Sequence, residues 1–214
     1  GVLVPPVGYL ERIAEICRKY GALLIFDEVI TGFGRVGASF AAQRFGVTPD
    51  MITMAKGLTN GTIPMGAVIV TSEIHDAFMQ GPEHMIEFFH GYTYSAHPLA
   101  CAAALAVLDI YKNEGLFQRA ADLSKYWEDG VHSLKSAPGV TDVRNLGLAA
   151  GIDFEGRKDA PGARGYDTFV KAFELGLMVR QSGDCIAMSP PLIIEKAQID
   201  EIIDIAGKAI KEAA

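Results

Sequence analysis

Two ionisable side chains, Asp27 and Lys56, each follow directly on a short apolar run. The first run covers residues 23–26 and the second covers residues 51–55. Short unbroken apolar runs favour strands that are covered on both faces, as in a parallel α/β sheet. Such sheets bind ligands outside the carboxyl ends of their strands. The spacing therefore predicts a carboxylate and an amine at the edge where an α/β sheet holds its ligands.

This acid and this amine allow two interpretations. Because an unpaired charge at a buried strand end costs on the order of several kcal/mol, the two groups could neutralise each other in a structural ion pair. Alternatively, a cofactor lies between them. A lysine in a dry pocket presents a neutral amine that joins an aldehyde, and a carboxylate facing a pyridine nitrogen keeps that ring protonated and electron-accepting. These are the requirements of pyridoxal 5'-phosphate, and the spacing alone leaves both interpretations open.

The flanking pattern predicts the elements that position this pair. Helical spacing over residues 11–20 ends at Gly21, and residues 67–70 form a further apolar strand. An alanine-rich helix is predicted over residues 99–111, directly after Pro98, because proline is favoured at the first helical position. The rest of the chain predicts helices over residues 116–134, 167–175 and 195–212, and strands over residues 140–143, 148–154, 177–180 and 186–188.

These elements predict an α/β fold in two parts. We expect residues 1–112 to form part of a large domain with a mainly parallel sheet, and residues 113–214 to form a smaller α+β domain. A chain of 214 residues is long enough for one large and one small core.

Composition argues against several classes of partner. Nineteen basic and 26 acidic residues give a net charge of −7, which disfavours nucleic acid and anionic membrane surfaces. Three widely spaced cysteines and five histidines show no metal-binding spacing, so we expect no metal. No apolar run is long enough to predict a membrane-spanning helix. The sparse cysteines favour a reducing compartment, and we expect a cytoplasmic protein.

Four segments of the chain resemble the class III, fold type I family of pyridoxal-phosphate-dependent aminotransferases. They are LIFDEVITGFGR at 24–35, PDMITMAKGL at 49–58, HGYTYSAHP at 90–98, and residues 176–192 with GLMVR, GD and SPPL. The resemblance covers essentially the whole chain and is greatest to the ω-amino acid:pyruvate type, which includes the β-alanine:pyruvate aminotransferases. It implies a fold type I transferase.

The resemblance also implies roles for individual residues. Lys56 matches the lysine that carries the cofactor and then moves a proton between substrate and cofactor carbons. Asp27 matches the partner of the pyridine nitrogen, and Val29 matches the residue packed on one face of the ring. Thr93 matches a threonine that binds the cofactor phosphate of the neighbouring subunit, which implies a homodimer or a larger assembly.

Arg180 matches the arginine that binds a substrate carboxylate in this family. Its alternatives are a salt bridge to Asp184 or a solvated strand end. Glu28 is expected to be a structural, hydrogen-bonding carboxylate. Ala96 stands where the family commonly has glycine, which is expected to affect the turn near Thr93.

The expected reaction is transamination between an ω-amino acid or amine, such as β-alanine, and a keto acid such as pyruvate. The alternatives are another reaction of the same family, such as that of an aminomutase or a decarboxylase, or an inactive fragment. Because family members extend upstream of the helix that precedes Asp27, we expect this chain to be the C-terminal half of a longer enzyme.

Overall fold

A computed structural model describes residues 1–85, 88 and 90–214. These residues divide into two compact units. The N-terminal unit comprises Pro6–Phe33 and Ser39–Gly115, and the C-terminal unit comprises Gly1–Pro5, Gly34–Ala38 and Leu116–Ala214. The main division is therefore near the expected boundary at 112/113, while the two domains of the whole protein stay a prediction. The described residues include no helix that combines the length and the hydrophobicity needed to cross a bilayer.

The N-terminal unit alternates strands and helices as expected for an α/β fold. Its elements are α1 (Tyr9–Tyr20), β1 (Ile25–Asp27), α2 (Ala41–Phe45), β2 (Met51–Met54), β3 (Ala67–Val70), α3 (Ser72–Phe78) and α4 (Pro98–Asn113). The strands are ordered β1-β2-β3; β1 and β2 are parallel, whereas β3 runs antiparallel to β2. The α/β class is confirmed, and the direction of β3 differs from the parallel pattern expected.

Local sequence accounts for the bounds of α1. Gly21 adopts a left-handed backbone with φ of 66°, and the N–H of Ala22 donates to Cys17 at 2.9 Å, so the chain closes the helix there. Ala14 is the buried residue of α1, whereas Ile16 is 39% exposed.

Both edge strands of this sheet expose apolar side chains. Ile25 in β1 is 53% exposed, and Val68 and Ile69 in β3 are 61% and 55% exposed. The expectation that the apolar strand at residues 23–26 is covered on both faces is therefore wrong for this chain. The physical reason is that, among the described residues, no helix packs extensively on β1 or β3, and each of these strands is also an edge of the sheet.

The C-terminal unit is an α+β arrangement. Its elements are α5 (Leu116–His132), β4 (Val140–Leu146), β5 (Ala149–Phe154), α6 (Ala163–Glu174), β6 (Arg180–Gln181), β7 (Cys185–Met188) and α7 (Lys196–Glu212). The strands are ordered β4-β5-β7-β6 and every pair is antiparallel. Helix α5 packs on β4 and α7, and α6 packs on β7 and α7.

This unit contains a closed apolar core. Its largest fully buried apolar side chains come from both the helices and the sheet: Trp127, Leu148, Ile152, Ile186, Ile199 and Ile210. Burying one large aliphatic or aromatic side chain stabilises a fold by about 1.5–3 kcal/mol. The C-terminal unit therefore has the stronger internal core of the two, because the N-terminal unit leaves its edge strands exposed.

The first residues of the chain join the C-terminal unit through Arg144 in β4. The Arg144 guanidinium donates to both carboxylate oxygens of Asp153, at 2.7 and 2.9 Å, and its Nε donates to the carbonyl of Val2 at 2.9 Å. The hydrogen bond from Arg144 holds the pKa of Asp153 below its usual range.

Residues Gly34–Ala38 form a second, separate insertion into the C-terminal unit. The N–H of Leu148 donates to the carbonyl of Arg35 at 3.0 Å, and the Arg35 guanidinium donates to the carbonyl of Pro190. Gly147 has φ of 56°, and a Cβ at this position would lie 2.5 Å from the Val36 backbone. The turn between β4 and β5 therefore requires glycine, because the inserted backbone occupies the space of a side chain.

Asp184 caps the start of α6. Its carboxylate accepts the N–H of Gly162 at 2.7 Å and the N–H of Gly165 at 3.2 Å. These backbone donors, Gly162 foremost, hold the pKa of Asp184 below its usual range. The carboxylate is thus engaged with a helix terminus, where a negative charge is favourable.

We expect Asp184→Ala to lower the stability of the whole protein by about 1 kcal/mol at neutral pH, the typical contribution of a cap. Because the folded pKa lies below the unfolded value of about 3.9, this contribution is present above about pH 4 and is lost as the pH falls through the folded pKa. The melting temperature of Asp184→Ala should therefore be lower than that of the parent at pH 7, and the two values should converge below about pH 4. Asp159→Ala supplies the control, because Asp159 is exposed and makes no hydrogen bond or ion pair among the described residues. A difference that acid leaves unchanged would contradict the cap.

Candidate functional site

Asp27 and Lys56 leave neighbouring parallel strands at the same edge of the sheet. Asp27 pairs with Thr53 in the β1–β2 ladder, and the residue after β1 continues this pairing, since the N–H of Glu28 donates to the Thr53 carbonyl at 2.9 Å. Strand β2 ends at Met54, and Lys56 follows two residues later. The structure therefore brings the predicted acid and amine to the edge at which open α/β sheets bind ligands.

Neither member of this pair neutralises the other. Asp27 and Lys56 are both exposed, and among the described residues no ion pair or hydrogen bond joins them. The Asp27 Oδ1 instead accepts the N–H of Val29 at 3.1 Å, which turns the chain after β1. The structural ion pair that the sequence left open is absent, and both groups are available to a ligand.

Val29 follows this turn and is half-buried. Its backbone is tied to the Asp27 carboxylate, so its side chain is presented by the same turn that presents the acid. The predicted packing of Val29 on a cofactor ring stays a prediction.

Glu28 is a buried structural carboxylate, as expected. It is 1% exposed; its Oε2 accepts the Thr31 hydroxyl at 2.6 Å and the Ala41 N–H at 2.7 Å, and its Oε1 accepts the Ala42 N–H at 2.7 Å. One side chain thus holds both the chain leaving β1 and the start of α2. Because successive strand residues point to opposite faces, burying Glu28 directs Asp27 to the exposed face.

Thr93 lies in an exposed turn that precedes α4. The cap position of that helix is His97, whose side chain makes no capping hydrogen bond, so Thr93 is not the cap residue. Within the turn, the Ser95 hydroxyl accepts the N–H of Tyr92 at 3.0 Å. Ala96 has φ of 56°, a left-handed conformation that favours glycine, which explains the family's usual residue at this position. Phosphate binding by Thr93 stays a prediction.

The N-terminal unit contains a cavity of about 1030 Å³. Its wall begins at Met54, two residues before Lys56, and includes both the loop before β3 and the segment around Thr93. The lining residues are Met54, Ile63, Pro64, Met65, Gly66, Ala67, Val68, Phe88, His90, Gly91, Tyr92, Tyr94, Ser95, Ala96, His97 and Ala100. Asp27, Lys56 and Thr93 do not line this cavity, although Met54 at the end of β2 and the residues on both sides of Thr93 do.

Arg180 lies in the C-terminal unit, at the start of β6. It pairs with Ala187 in the ladder, and its side chain is exposed. The proposed alternative of a salt bridge to Asp184 is wrong, because that carboxylate accepts backbone N–H groups of α6. No carboxylate among the described residues pairs with Arg180, so its guanidinium is open to an external anion.

Tyr111 is a residue of this region that sequence reasoning did not single out. It lies in α4, is 5% exposed, and donates its hydroxyl to the carbonyl of Gly57, the residue after Lys56, at 2.7 Å. A signal existed: Ala100, Ala104 and Val107 are also buried, so helical spacing places Tyr111 on the inner face of α4. Among the residues that the structure describes, no group of three His, Cys, Asp or Glu side chains is arranged to hold a metal.

Comparison with known proteins identifies the family. A family model described as aminotransferase class III matches residues 1–210. The chain therefore belongs to the class III aminotransferase family.

Individual relatives agree with this assignment. The chain is 61% identical over 210 residues to an omega-aminotransferase of Caulobacter vibrioides, covering 98% of this chain and 48% of the relative. It is 49% identical to a beta-alanine--pyruvate aminotransferase of Pseudomonas aeruginosa, covering 100% of this chain and 48% of that protein. The chain thus spans about half the length of the curated relatives it matches.

Solved structures agree with the fold. A thermostable omega transaminase six-fold mutant from Pseudomonas jessenii matches with a TM-score of 0.94 at 33% identity, covering 100% of this chain and 49% of the other. The fold is therefore that of part of a fold type I transaminase.

We expect Glu28→Gln to destabilise the whole protein by about 1–3 kcal/mol, because hydrogen bonds to a charged acceptor are lost and an amide N–H faces a backbone N–H. Urea unfolding of the variant and the parent measures this difference. Glu201→Gln, at an exposed position of α7, is the matched control. Equal unfolding midpoints for Glu28→Gln and the control would show that the buried carboxylate does not hold this loop.

Proposed function

We propose that the whole protein is an aminotransferase that uses pyridoxal 5'-phosphate to transfer an amino group from an ω-amino acid or amine, such as β-alanine, to a keto acid such as pyruvate. Family membership and the printed names of the relatives support this activity. The observation that carries it in this chain is the placement of Asp27 and Lys56 at adjacent carboxyl ends of parallel strands, without an ion pair between them.

The described residues fit this cofactor by their chemistry. Lys56 offers an amine for an aldehyde and Asp27 offers a carboxylate for a protonated pyridine nitrogen, while Thr93 offers a hydroxyl for the phosphate of the neighbouring subunit's cofactor. All three side chains are exposed in the N-terminal unit. When bound, the cofactor supplies an aldehyde that joins amines and a ring that accepts electrons.

Each residue then has one task in the proposed reaction. The Lys56 amine would hold the cofactor aldehyde carbon and, once released by the incoming substrate, move the proton at the reacting carbon. The Asp27 carboxylate would keep the pyridine nitrogen protonated, because a negative charge beside it favours the charged ring. Val29 would supply the apolar contact to one ring face.

We further propose that the active assembly is a homodimer or larger, with Thr93 serving the phosphate of the neighbouring subunit. The support within this chain is that Thr93 lies in an exposed turn and that its hydroxyl makes no hydrogen bond among the described residues. A cytoplasmic location stays a prediction from the cysteine content.

The substrate carboxylate would be held by Arg180. A guanidinium binds a carboxylate through two parallel hydrogen bonds. The support is that its side chain is exposed and that its nearest sequence acid, Asp184, is engaged elsewhere. Substrates without a carboxylate would gain nothing from this contact.

The test of the proposed activity is Lys56→Ala in the whole protein. We expect loss of the visible absorbance of bound cofactor and a fall of about 100-fold or more in pyruvate-dependent consumption of β-alanine, since general acid–base groups contribute about 100- to 10,000-fold. Lys135→Ala, at an exposed position of the C-terminal unit, is the control and is expected to match the parent.

Two outcomes of that experiment would contradict the proposal. A normal visible spectrum in Lys56→Ala would remove the lysine assignment. A spectrum lost as expected, but with β-alanine consumed in the parent without pyruvate, would indicate an aminomutase or decarboxylase instead.

For Arg180→Ala we expect a selective loss of carboxylate substrates. The kcat/KM of the variant for β-alanine should be about 10- to 100-fold lower than that of the parent. This loss is equivalent to a charged hydrogen bond worth about 1.5–3 kcal/mol. For a simple amine of similar size, measured with the same keto acid, the kcat/KM of the variant should equal that of the parent. An equal loss for both amino donors would show that Arg180 does not bind the carboxylate.

A further inference from the structure

The turn that carries Lys56 is conformationally strained. Lys56 opens a short 3-10 turn, Lys56–Leu58, and has φ of 40°. A residue with a Cβ is strained in the left-handed region, and it keeps that conformation only where its surroundings impose it. Something in the N-terminal unit must therefore hold this backbone in place.

One constraint is the Tyr111 hydroxyl. It lies 2.7 Å from the carbonyl oxygen of Gly57 and 3.2 Å from the Oδ1 of Asn60. A hydroxyl carries a single proton, and the shorter contact makes Gly57 its acceptor. Since Tyr111 is 5% exposed, water cannot readily replace this donor. The hydrogen bond thus fixes the Gly57–Leu58 peptide, which is the second peptide after Lys56.

The second constraint is the Phe33 side chain. A Cβ at Gly57 would lie 2.7 Å from the Phe33 Cβ, so the turn has no freedom to move toward this residue. The Phe33 ring also stacks on Tyr111 with centroids 6.0 Å apart and planes 20° apart. Tyr111 and Phe33 therefore form one buried support for the Lys56 turn.

From this support we infer that Tyr111 is a positioning residue, which acts through the Gly57 carbonyl to aim the Lys56 amine. The inference rests on the proposed function of Lys56. Without the hydroxyl, the Gly57 carbonyl loses its donor and the strained backbone can relax, which changes the direction in which the Lys56 side chain leaves the sheet. Proton transfer needs heavy atoms within about 2.6–3.2 Å, and a misplacement of about 1 Å can cost about 100-fold in rate.

Tyr111→Phe separates this role from packing, because the ring that stacks on Phe33 is retained and one oxygen atom is removed. The matched control is Tyr126→Phe in α5, which also removes one hydroxyl hydrogen bond, to Asp200 at 2.6 Å, but in the other unit. Both variants are made in the whole protein, and each is stripped of cofactor and reloaded with pyridoxal 5'-phosphate.

For Tyr111→Phe we expect kcat to fall about 10- to 100-fold with KM for β-alanine changed less than about 3-fold, since positioning and not substrate binding is lost. The rate at which the visible band grows when cofactor is added to the apoprotein should slow, and the pH midpoint of that band should shift. Tyr126→Phe should match the parent in all three measurements.

A Tyr111→Phe protein that captures cofactor at the parent rate with an unchanged pH midpoint would overturn the role of Tyr111 while leaving the proposed function intact. No visible band in the parent itself would overturn the proposed function and this role with it. If Tyr111→Phe does not fold, Gly57→Ala displaces the same turn from the Phe33 side and must give the same slow capture. Parent-like capture by Gly57→Ala would then refute the inference.

Discussion

The parallel pairing of β1 with β2 is the constraint on which the candidate site depends. Pairing Asp27 with Thr53 brings two strand ends to one edge, so that an acid and an amine separated by 28 intervening residues become neighbours along the sheet. Because consecutive residues of a strand face opposite sides of the sheet, Asp27 points outward and Glu28 points inward. If the register slipped by one residue, the buried and the exposed carboxylate would exchange faces. The pairing thus determines which acid can meet a ligand.

Two structural carboxylates and the three charged residues of the candidate site differ in the groups that surround them. The carboxylates of Glu28 and Asp184 accept hydrogen bonds from backbone N–H groups, and each holds a helix start or a loop in place. Asp27, Lys56 and Arg180 are exposed, and among the described residues none has an ion-pair partner. Asp27 also accepts one backbone N–H, from Val29, but it stays exposed, whereas Glu28 is buried among its three donors. This contrast, more than sequence proximity, distinguishes Asp27 from its neighbour.

Local patterns predicted the ends of elements well. An apolar run that stops at a charge marked the end of β1, Gly21 marked the end of α1, and Pro98 marked the start of α4. Non-local features left no comparable signal. The antiparallel direction of β3 and the exposure of both sheet edges depend on which strands are neighbours, and a single strand sequence does not encode its neighbours. The reach of Tyr111 back to Gly57 spans 54 residues, and helical spacing could place the ring inside the unit without naming its acceptor.

The insertion of Gly34–Ala38 has a consequence for how this chain can be divided. The backbone changes unit four times, at 5/6, 33/34, 38/39 and 115/116, so no single cut separates the two units. A gene fragment that starts at residue 116 would lack Gly34–Ala38. It would therefore leave a void beside Gly147, where the absence of a side chain makes room for the inserted backbone. Exchanging C-terminal portions between relatives would likewise require these five residues to travel with the β4–β5 turn. These five residues precede the C-terminal portion in the sequence but belong to the C-terminal unit in the structure.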